Sequence, residues 1–481
     1  MTTAVESDRP DVLGTKEDLQ LLNSFFIVYK TSRIIEEGNQ TYQNQIADFY
    51  EQLKKRSSET GSLTIKVVQS RYFMNEKMVP FNDQGPSGAS TVIDEWRMLG
   101  IGGVTFLGSI GNEETSRFFR FISAARPKFD HLESLAEKLK SHGFDNVTLL
   151  GMKELNASGS MISEEVRRQF RKAARNSFFQ AMSVVKEVVV NTSDNREINV
   201  AKTKRVVHTL IDQITRDESS LIELTAIRDF DDYTYAHSTN VCVYALTMGI
   251  RLGMDRPRLS QLGLSALFHD IGKVKLPKDI ITKPDAFDEN DWIQMQRHPM
   301  LGAKTILRNL RLDTHNVRAA VGAFEHHINQ DFTGYPMLRY KKRPTNLFSK
   351  IIAIVDSFDA LSSGRVYLKK SIPPDEVIKK MRYQMTVKFD PFLLKMFNNI
   401  LGIYPAGSLV LLTTDEIALI LTNNDADRSR PYVKIVGNQS GLLDKPVWVD
   451  LSQEGQEHRK LMRMLDPTRY GLDVKDFVLQ D

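Results

Sequence analysis

Five imidazoles and two carboxylates recur at near-constant spacing through the middle of this chain, and that spacing constrains the fold most. His269-Asp270-Ile271-Gly272-Lys273 closes an apolar-periodic segment in which Leu262, Ala266, His269 and Asp270 share one helical face. Gly272 is expected to let the backbone leave the helix, and Lys273 sets a cation beside the carboxylate. His237 lies upstream on a stripe continued by Val241, Ala245, Met248 and Leu252. Downstream come His298, the pair His326-His327, and Asp356 within Ile354-Val355-Asp356-Ser357-Phe358-Asp359-Ala360-Leu361. Asp270 to His298 is 28 residues, His298 to His326 is 28, and His327 to Asp356 is 29. Each interval fits a helix, a loop and a helix returning to the same place, so antiparallel helices can aim every one of these groups inward. The set suits two transition-metal ions, with Asp270 able to bridge them.

The remaining histidines, His131, His142, His208, His315 and His458, stand outside this pattern and read as surface or capping residues. Basic and acidic residues nearly balance, 64 against 60, which gives no case for general nucleic-acid binding. Cys242 is the single cysteine, so no intrachain disulfide forms and a reducing cytoplasm is the expected setting. No apolar run reaches the roughly 18 residues of a membrane span, and Met1 to Asp18 is polar, unlike a signal peptide.

The length of 481 residues calls for more than one domain. Residues 1–150 read as a mixed α/β unit. A helical pattern runs from Lys16 to Lys55, and strands are expected at Leu63–Val68, Tyr72–Met78, Gly103–Leu107 and Asn146–Leu150. Helices are expected near Thr91–Leu99, Glu113–Ala124 and His131–His142. This unit lacks the opening strand and acidic cluster of a phosphorylation receiver. Its Gly100-Ile101-Gly102-Gly103 is not followed by Lys-Ser or Lys-Thr, so it is no phosphate-cradling loop. A regulatory or dimerising role is the expectation. Residues 151–200 read as a linker and a connecting helix (Ser163–Val190) that packs on its own domain or pairs with a second copy as a homodimer. Residues 201–402 read as all-α. Residues 403–481 read as a small antiparallel β extension, with strands at Leu409–Leu412, Ile417–Leu421, Val433–Val436 and Val447–Leu451.

Taken in order, the His-Asp-Ile-Gly-Lys run, His298-Pro299, His326-His327, Gly334-Tyr335-Pro336 and Asp356-Ser357-Phe358-Asp359-Ala360-Leu361 resemble the HD-GYP phosphodiesterases, a subgroup of the HD metal-dependent phosphohydrolases, over roughly residues 200 to 400. The resemblance implies two divalent transition-metal ions, iron or manganese. It implies a first held by His237, His269, Asp270 and Asp356, and a second by Asp270, His298, His326 and His327. It also implies that a hydroxide between the ions attacks phosphorus, with Asp270 and Lys273 in catalytic roles. Members with three metals carry Glu four residues before the first His, where this chain has Tyr233, so two ions are expected. Substrate contacts are implied for Gly334, Tyr335 and Pro336, and for Arg365 as a phosphate grip. Leu368 stands where the family often has a second cation, and Lys369 follows it about 100° round a helix. Further departures are Ile328 after the His pair and Phe332 in the loop before Gly334. The implied activity is hydrolysis of cyclic di-GMP to linear pGpG and onward to GMP, with 3′,3′-cyclic GMP-AMP as the nearest variant. A non-catalytic module that binds a cyclic dinucleotide or a protein partner is the rival class, and a metal-stabilised scaffold is the bland one.

Overall fold

Thr15 and Asp18 cap one another at the start of the first helix, α1 (Lys16–Ile34), which buries Leu21, Leu22, Phe25, Phe26 and Tyr29. In this computed structural model the described residues are 14–35, 38–68, 71–79, 92, 95–96, 98–125, 131–151, 164–227, 233–281, 283, 285–309, 313–337, 343–363, 372–402, 404–424, 427, 429–438 and 441–465. They fall into two units, Met1–Arg167 and Arg168–Asp481.

In the first unit the helical pattern expected from Lys16 to Lys55 breaks after Ile34. It resumes in α2 (Gln40–Thr60), where the Asn39 side chain accepts the Thr41 N–H at 2.9 Å. Gly38 and Asn39 explain the break, one a poor helix former and the other a strong cap. Strands β1 (Ser62–Val68), β2 (Arg71–Met74), β3 (Lys77–Val79), β4 (Ile101–Leu107) and β5 (Val147–Gly151) form an antiparallel sheet in the order β3-β2-β1-β4-β5. The single strand expected over Tyr72–Met78 is a hairpin instead, turning at Asn75, whose φ of 53° this residue type tolerates. Helices α3 (Asn112–Ala124) and α4 (Leu132–Ser141) pack around a core in which Phe25 meets Phe49, Trp96, Phe106 and Phe119; of the helix expected near Thr91–Leu99, the described residues 92, 95–96 and 98–99 are helical.

The second unit opens with α5 (Glu164–Ser193) and α6 (Val200–Leu224), followed by α7 (Tyr233–Arg251) and α8 (Arg256–Phe268). A 3-10 turn (Ile271–Lys275) leads to α9 (Lys278–Ile281), α10 (Glu289–Met295), α11 (His298–Asn309) and α12 (Thr314–Glu325). Then come α13 (Leu347–Ser362), α14 (Pro374–Tyr383) and α15 (Pro391–Leu401). Helix α13 is apolar or buried nearly all round, as a helix at the centre of a bundle must be. Helix α5 is not a free connector: Ala174, Phe178, Ala181, Val184, Val185 and Val188 join the same core as α6, α7, α8 and α13. The linker expected at 151–162 lies outside the described residues, apart from Gly151 at the end of β5.

The C-terminal strands β6 (Leu409–Leu412), β7 (Ile417–Thr422), β8 (Tyr432–Asn438), β9 (Gly441–Asp450) and β10 (Leu461–Leu465) form a second antiparallel sheet, ordered β10-β6-β7-β8-β9. The sequence pattern had not marked β10. Leu409, Leu419, Leu421, Val436 and Leu465 pack into the helical core, whereas Val410, Leu412, Ala418, Ile420, Val433 and Ile435 form a small core of their own. This two-faced alternation makes the sheet part of the helical unit rather than an appendage. Among the described residues no helix is long and apolar enough to cross a membrane.

Candidate metal centre

Four helix ends and one helix middle bring the seven residues together. His237 projects from the first turns of α7, and Asp356 from the middle of α13. His269 caps the C-terminus of α8, with Asp270 following it, while His298 opens α11 and His326 caps the C-terminus of α12. A helix terminus lets a side chain reach inward without disturbing an i→i−4 ladder.

Three imidazoles are aimed by the same local device. Nδ1 of His269 lies 2.7 Å from the Ala266 carbonyl, Nδ1 of His298 lies 2.7 Å from that of Met295, and Nδ1 of His326 lies 2.8 Å from that of Ala323. A carbonyl only accepts, so each Nδ1 carries the proton and each Nε2 faces inward as a lone pair. His237 uses a carboxylate for the same purpose. Its Nδ1–H donates to Asp359 Oδ2 at 2.7 Å, and Asp359 Oδ1 accepts from the Asn240 amide at 2.9 Å.

The inward atoms converge on Asp270. Its Oδ2 is 3.6 Å from His237 Nε2 and 3.4 Å from His269 Nε2, and its Oδ1 is 3.2 Å from His298 Nε2 and 3.8 Å from His326 Nε2. Asp356 Oδ1 lies 3.2 Å from His237 Nε2 and 3.8 Å from His269 Nε2, and its Oδ2 lies 3.9 Å from His327 Nδ1. Both carboxylates therefore stand between two clusters, His237-His269-Asp270 and His298-His326-His327, each compact enough to hold one ion. The sequence reading gave a bridging position to Asp270 alone; Asp356 also faces both clusters.

The donor set fits divalent metal on its own chemistry. Asp270 Oδ1 and His269 Nε2 are buried without a hydrogen-bond partner, a costly state unless something else completes them. Burial pushes the Asp270 carboxyl up, but Lys273 and the imidazoles of His269 and His298 outweigh it and hold it well below the usual carboxylate range. Burial likewise opposes ionisation of Asp356, and the close approach of His237 with the neighbouring imidazoles outweighs it and holds the carboxyl well below its usual range. Burial pushes His298 down to about 3 and His326 to about 4, so both are neutral lone-pair donors. His327 is held well below its usual value by burial and by His326. His237 differs: burial opposes its charge, yet Asp356 and Asp359 raise it to about 9.

Around this centre, Lys273 forms an ion pair with Asp270 Oδ2. Gly334 takes a φ of 88° and folds the loop back so that the Tyr335 N–H donates to the His327 carbonyl at 3.2 Å. The Tyr335 ring lies 4.6 Å from His327 and 6.1 Å from His298, and Pro336 beside it is half-buried. Ile328 is buried and bridges to Gly334, which accounts for an apolar residue after the His pair. Phe332 takes a φ of 67° in the same loop. Arg365, Leu368 and Lys369 lie outside the described residues, as does the Tyr233 side chain. Gly272 acts otherwise than expected. Its φ is not positive; a Cβ there would lie 2.0 Å from the His298 carbonyl oxygen and 2.4 Å from the Gly302 nitrogen. It is glycine because the turn after Asp270 presses against the backbone of α11.

Two residues of the site escaped the sequence reading, Asn240 and Asp359. Each stands three residues after an inward group, His237 and Asp356, on the same helix face, and that spacing was the available signal. Among the other histidines, His131 opens α4 and His142 closes it with Nδ1 on the Lys138 carbonyl at 2.7 Å. His208 contacts Ser260 at 3.2 Å.

Residues 210–393 match the HD domain family. A cyclic di-GMP phosphodiesterase of Pseudomonas aeruginosa is 29% identical over 301 residues, covering 62% of this chain and 70% of that protein. The cyclic di-GMP phosphodiesterase PdeB of Borreliella burgdorferi is 24% identical over 285 residues, covering 59% and 73%. The 3′3′-cGAMP-specific phosphodiesterase 3 of Vibrio cholerae is 30% identical over 173 residues, covering 36% of each.

Proposed function

We propose that this chain, whose residues 210–393 form an HD domain of the HD-GYP type, is a dinuclear metal-dependent phosphodiesterase that opens cyclic di-GMP to linear pGpG and onward to GMP. The observation that carries this reading is the pair of carboxylates, Asp270 and Asp356, set between two histidine clusters, with Asp270 Oδ1 and His269 Nε2 buried and unsatisfied. His237, His269, Asp270 and Asp356 would hold one ion, and Asp270, His298, His326 and His327 the other. Iron or manganese suits this mixed imidazole and carboxylate set. Such a pair of ions lowers the pKa of water and stabilises charge growing on phosphoryl oxygens.

The chain's own residues supply the rest. Carbonyl-tethered imidazoles keep their lone pairs inward, so the centre needs little reorganisation when loaded. Lys273, paired to Asp270 at the edge of the centre, would turn toward an incoming phosphate. The Gly334-Tyr335-Pro336 loop covers His327 and offers an aromatic face to a base. Arg365 is the proposed phosphate grip, with Lys369 beside it; a guanidinium binds phosphate in a fork that an ammonium cannot match.

A second substrate, 3′,3′-cyclic GMP-AMP, has specific support in the cGAMP-specific relative of Vibrio cholerae. One experiment separates the readings. Protein purified without oxygen is analysed for metal, incubated with each cyclic dinucleotide, and the products are resolved. Two bound ions and cleavage of cyclic di-GMP to pGpG are expected, while preferential cleavage of the mixed dinucleotide selects the second substrate. Metal-loaded protein that cleaves neither one overturns the enzyme reading in favour of a binding module. Asp270→Ala is expected to abolish cleavage and to lower bound metal by at least one equivalent; full activity with unchanged metal would refute the dinuclear assignment.

A further inference from the structure

Glu325 immediately precedes the histidine pair, ends α12, and is buried at 3% exposure. A buried carboxylate needs partners, and this one finds them on a different helix. Its Oε2 accepts the Asn346 N–H at 2.8 Å and the Ser349 hydroxyl at 2.9 Å, while Oε1 pairs with Arg343 at 2.6 Å. Asn346 is the N-cap of α13, so the negative charge also sits at the favourable end of that helix. None of these groups belongs to the seven inward residues.

We infer that Glu325 is a positioning residue for the His298-His326-His327 half of the centre, tying the His326-His327 turn to the helix that carries Asp356. Ser349 and Asp356 are seven residues apart on α13, two turns along one face and about 10 Å in rise. The end of α12 is bonded to α13 twice through Glu325, at the Asn346 N–H and at the Ser349 hydroxyl, and further along the same helix His327 Nδ1 lies 3.9 Å from Asp356 Oδ2. These two bonds set the height and the rotation of the turn against α13, and with them the place of His327 beside Asp356. Within the turn, the Ile328 N–H donates to the Glu325 carbonyl at 2.8 Å, and the His326 N–H donates to the Gly322 carbonyl at 3.2 Å. A shift of Glu325 is therefore passed directly to both imidazoles.

This inference rests on the dinuclear reading, and its test keeps the two apart. Competition titration with Mn2+ and a chromophoric chelator gives two affinities for the full chain, and thermal melting of the metal-free protein reports stability alone. Wild-type protein that binds fewer than two equivalents refutes the dinuclear reading, whatever the variants do. Given two equivalents, Glu325→Ala is expected to weaken one of them about 10–100-fold, in the range for outer partners of metal ligands, and to leave the other within about threefold. Glu325→Gln keeps an acceptor for Asn346 and Ser349 and is expected to recover most of that loss. A lowered melting temperature with both affinities unchanged makes Glu325 a structural cap only and overturns the inference. Should Glu325→Ala fail to fold, Ser349→Ala removes one partner, and the inference then requires a selective loss of about threefold or more in the same equivalent. Equal loss of both equivalents in either variant also overturns it.

Discussion

At the scale of single residues the candidate centre depends on hydrogen bonds behind its inward-facing atoms. His237 is the one imidazole of the centre whose Nδ1–H donates to a carboxylate, Asp359, which Asn240 steadies in turn. Asp359→Ala frees that ring to rotate and removes the acceptor that holds the proton on Nδ1. The expected outcome is a loss of about 10–100-fold in affinity for the ion nearest His237, read by chelator competition, with the other ion little affected. The three carbonyl-tethered rings give no comparable handle for substitution, because their partners are backbone. That difference also explains what could be read in advance. His237, His269, Asp270, His298, His326, His327 and Asp356 are chemically distinctive and spaced for returning helices, so their convergence was legible in the sequence. The carbonyls of Ala266, Met295 and Ala323 were not, since every residue offers one.

At the scale of elements, the turn after Asp270 and the start of α11 touch backbone to backbone through Gly272 and Gly302. Gly272→Ala places a methyl group inside the contact distance of the His298 carbonyl. It is expected to push α11 away, destabilising the fold by about 1–3 kcal/mol and stripping metal mainly from the cluster containing His298. Melting curves and metal analysis check this together; a loss of stability with full metal content would show that the strain is absorbed without moving any of the proposed ligands. Sequence alone marked the glycine but gave it the wrong reason, because helix exit and close approach select the same residue. Elements were missed for related causes. Leu461-Met462-Arg463-Met464-Leu465 mixes residues with good helix propensity, and only pairing with β6 makes it a strand. The break between α1 and α2 was hidden by apolar periodicity that continues on both sides of it.

Glu223, near the end of α6, shows how an element can set a pH dependence. Burial raises its carboxyl to about 8 against the opposing charges of Arg171 and Lys434. The folded protein then holds a proton that the unfolded chain releases near 4.5, so stability is greatest below that value and falls as pH rises through about 8. Glu223→Gln mimics the protonated form and is expected to flatten melting temperature against pH between 5 and 8. Parallel curves for the two proteins would mean that the buried carboxyl is ionised throughout.

At the scale of the whole molecule, the sequence suggested a catalytic region beginning near residue 201, with a connecting helix before it. Every residue proposed to hold metal lies within 237–356, so on ligands alone a fragment of residues 200–481 ought to suffice. The packing argues otherwise. Ala174, Phe178, Ala181, Val184, Val185 and Val188 of α5 are buried in the core that α7, α8 and α13 share. Exposing a large apolar side chain forfeits about 1.5–3 kcal/mol, so removing this face takes away stabilisation comparable to the whole margin of a typical domain. Lys275, two residues beyond Lys273, also donates to the Thr192 carbonyl at 2.9 Å and would lose that partner. A fragment of residues 168–481 is therefore expected to melt cooperatively and to bind both ions. A fragment of residues 200–481 is expected to lack a sharp transition and to bind metal weakly. Circular dichroism melts with metal analysis on the two fragments test this. Equal melting and metal content in both would mean that α5 lies on the core without supporting it, and that the boundary belongs near residue 200 after all.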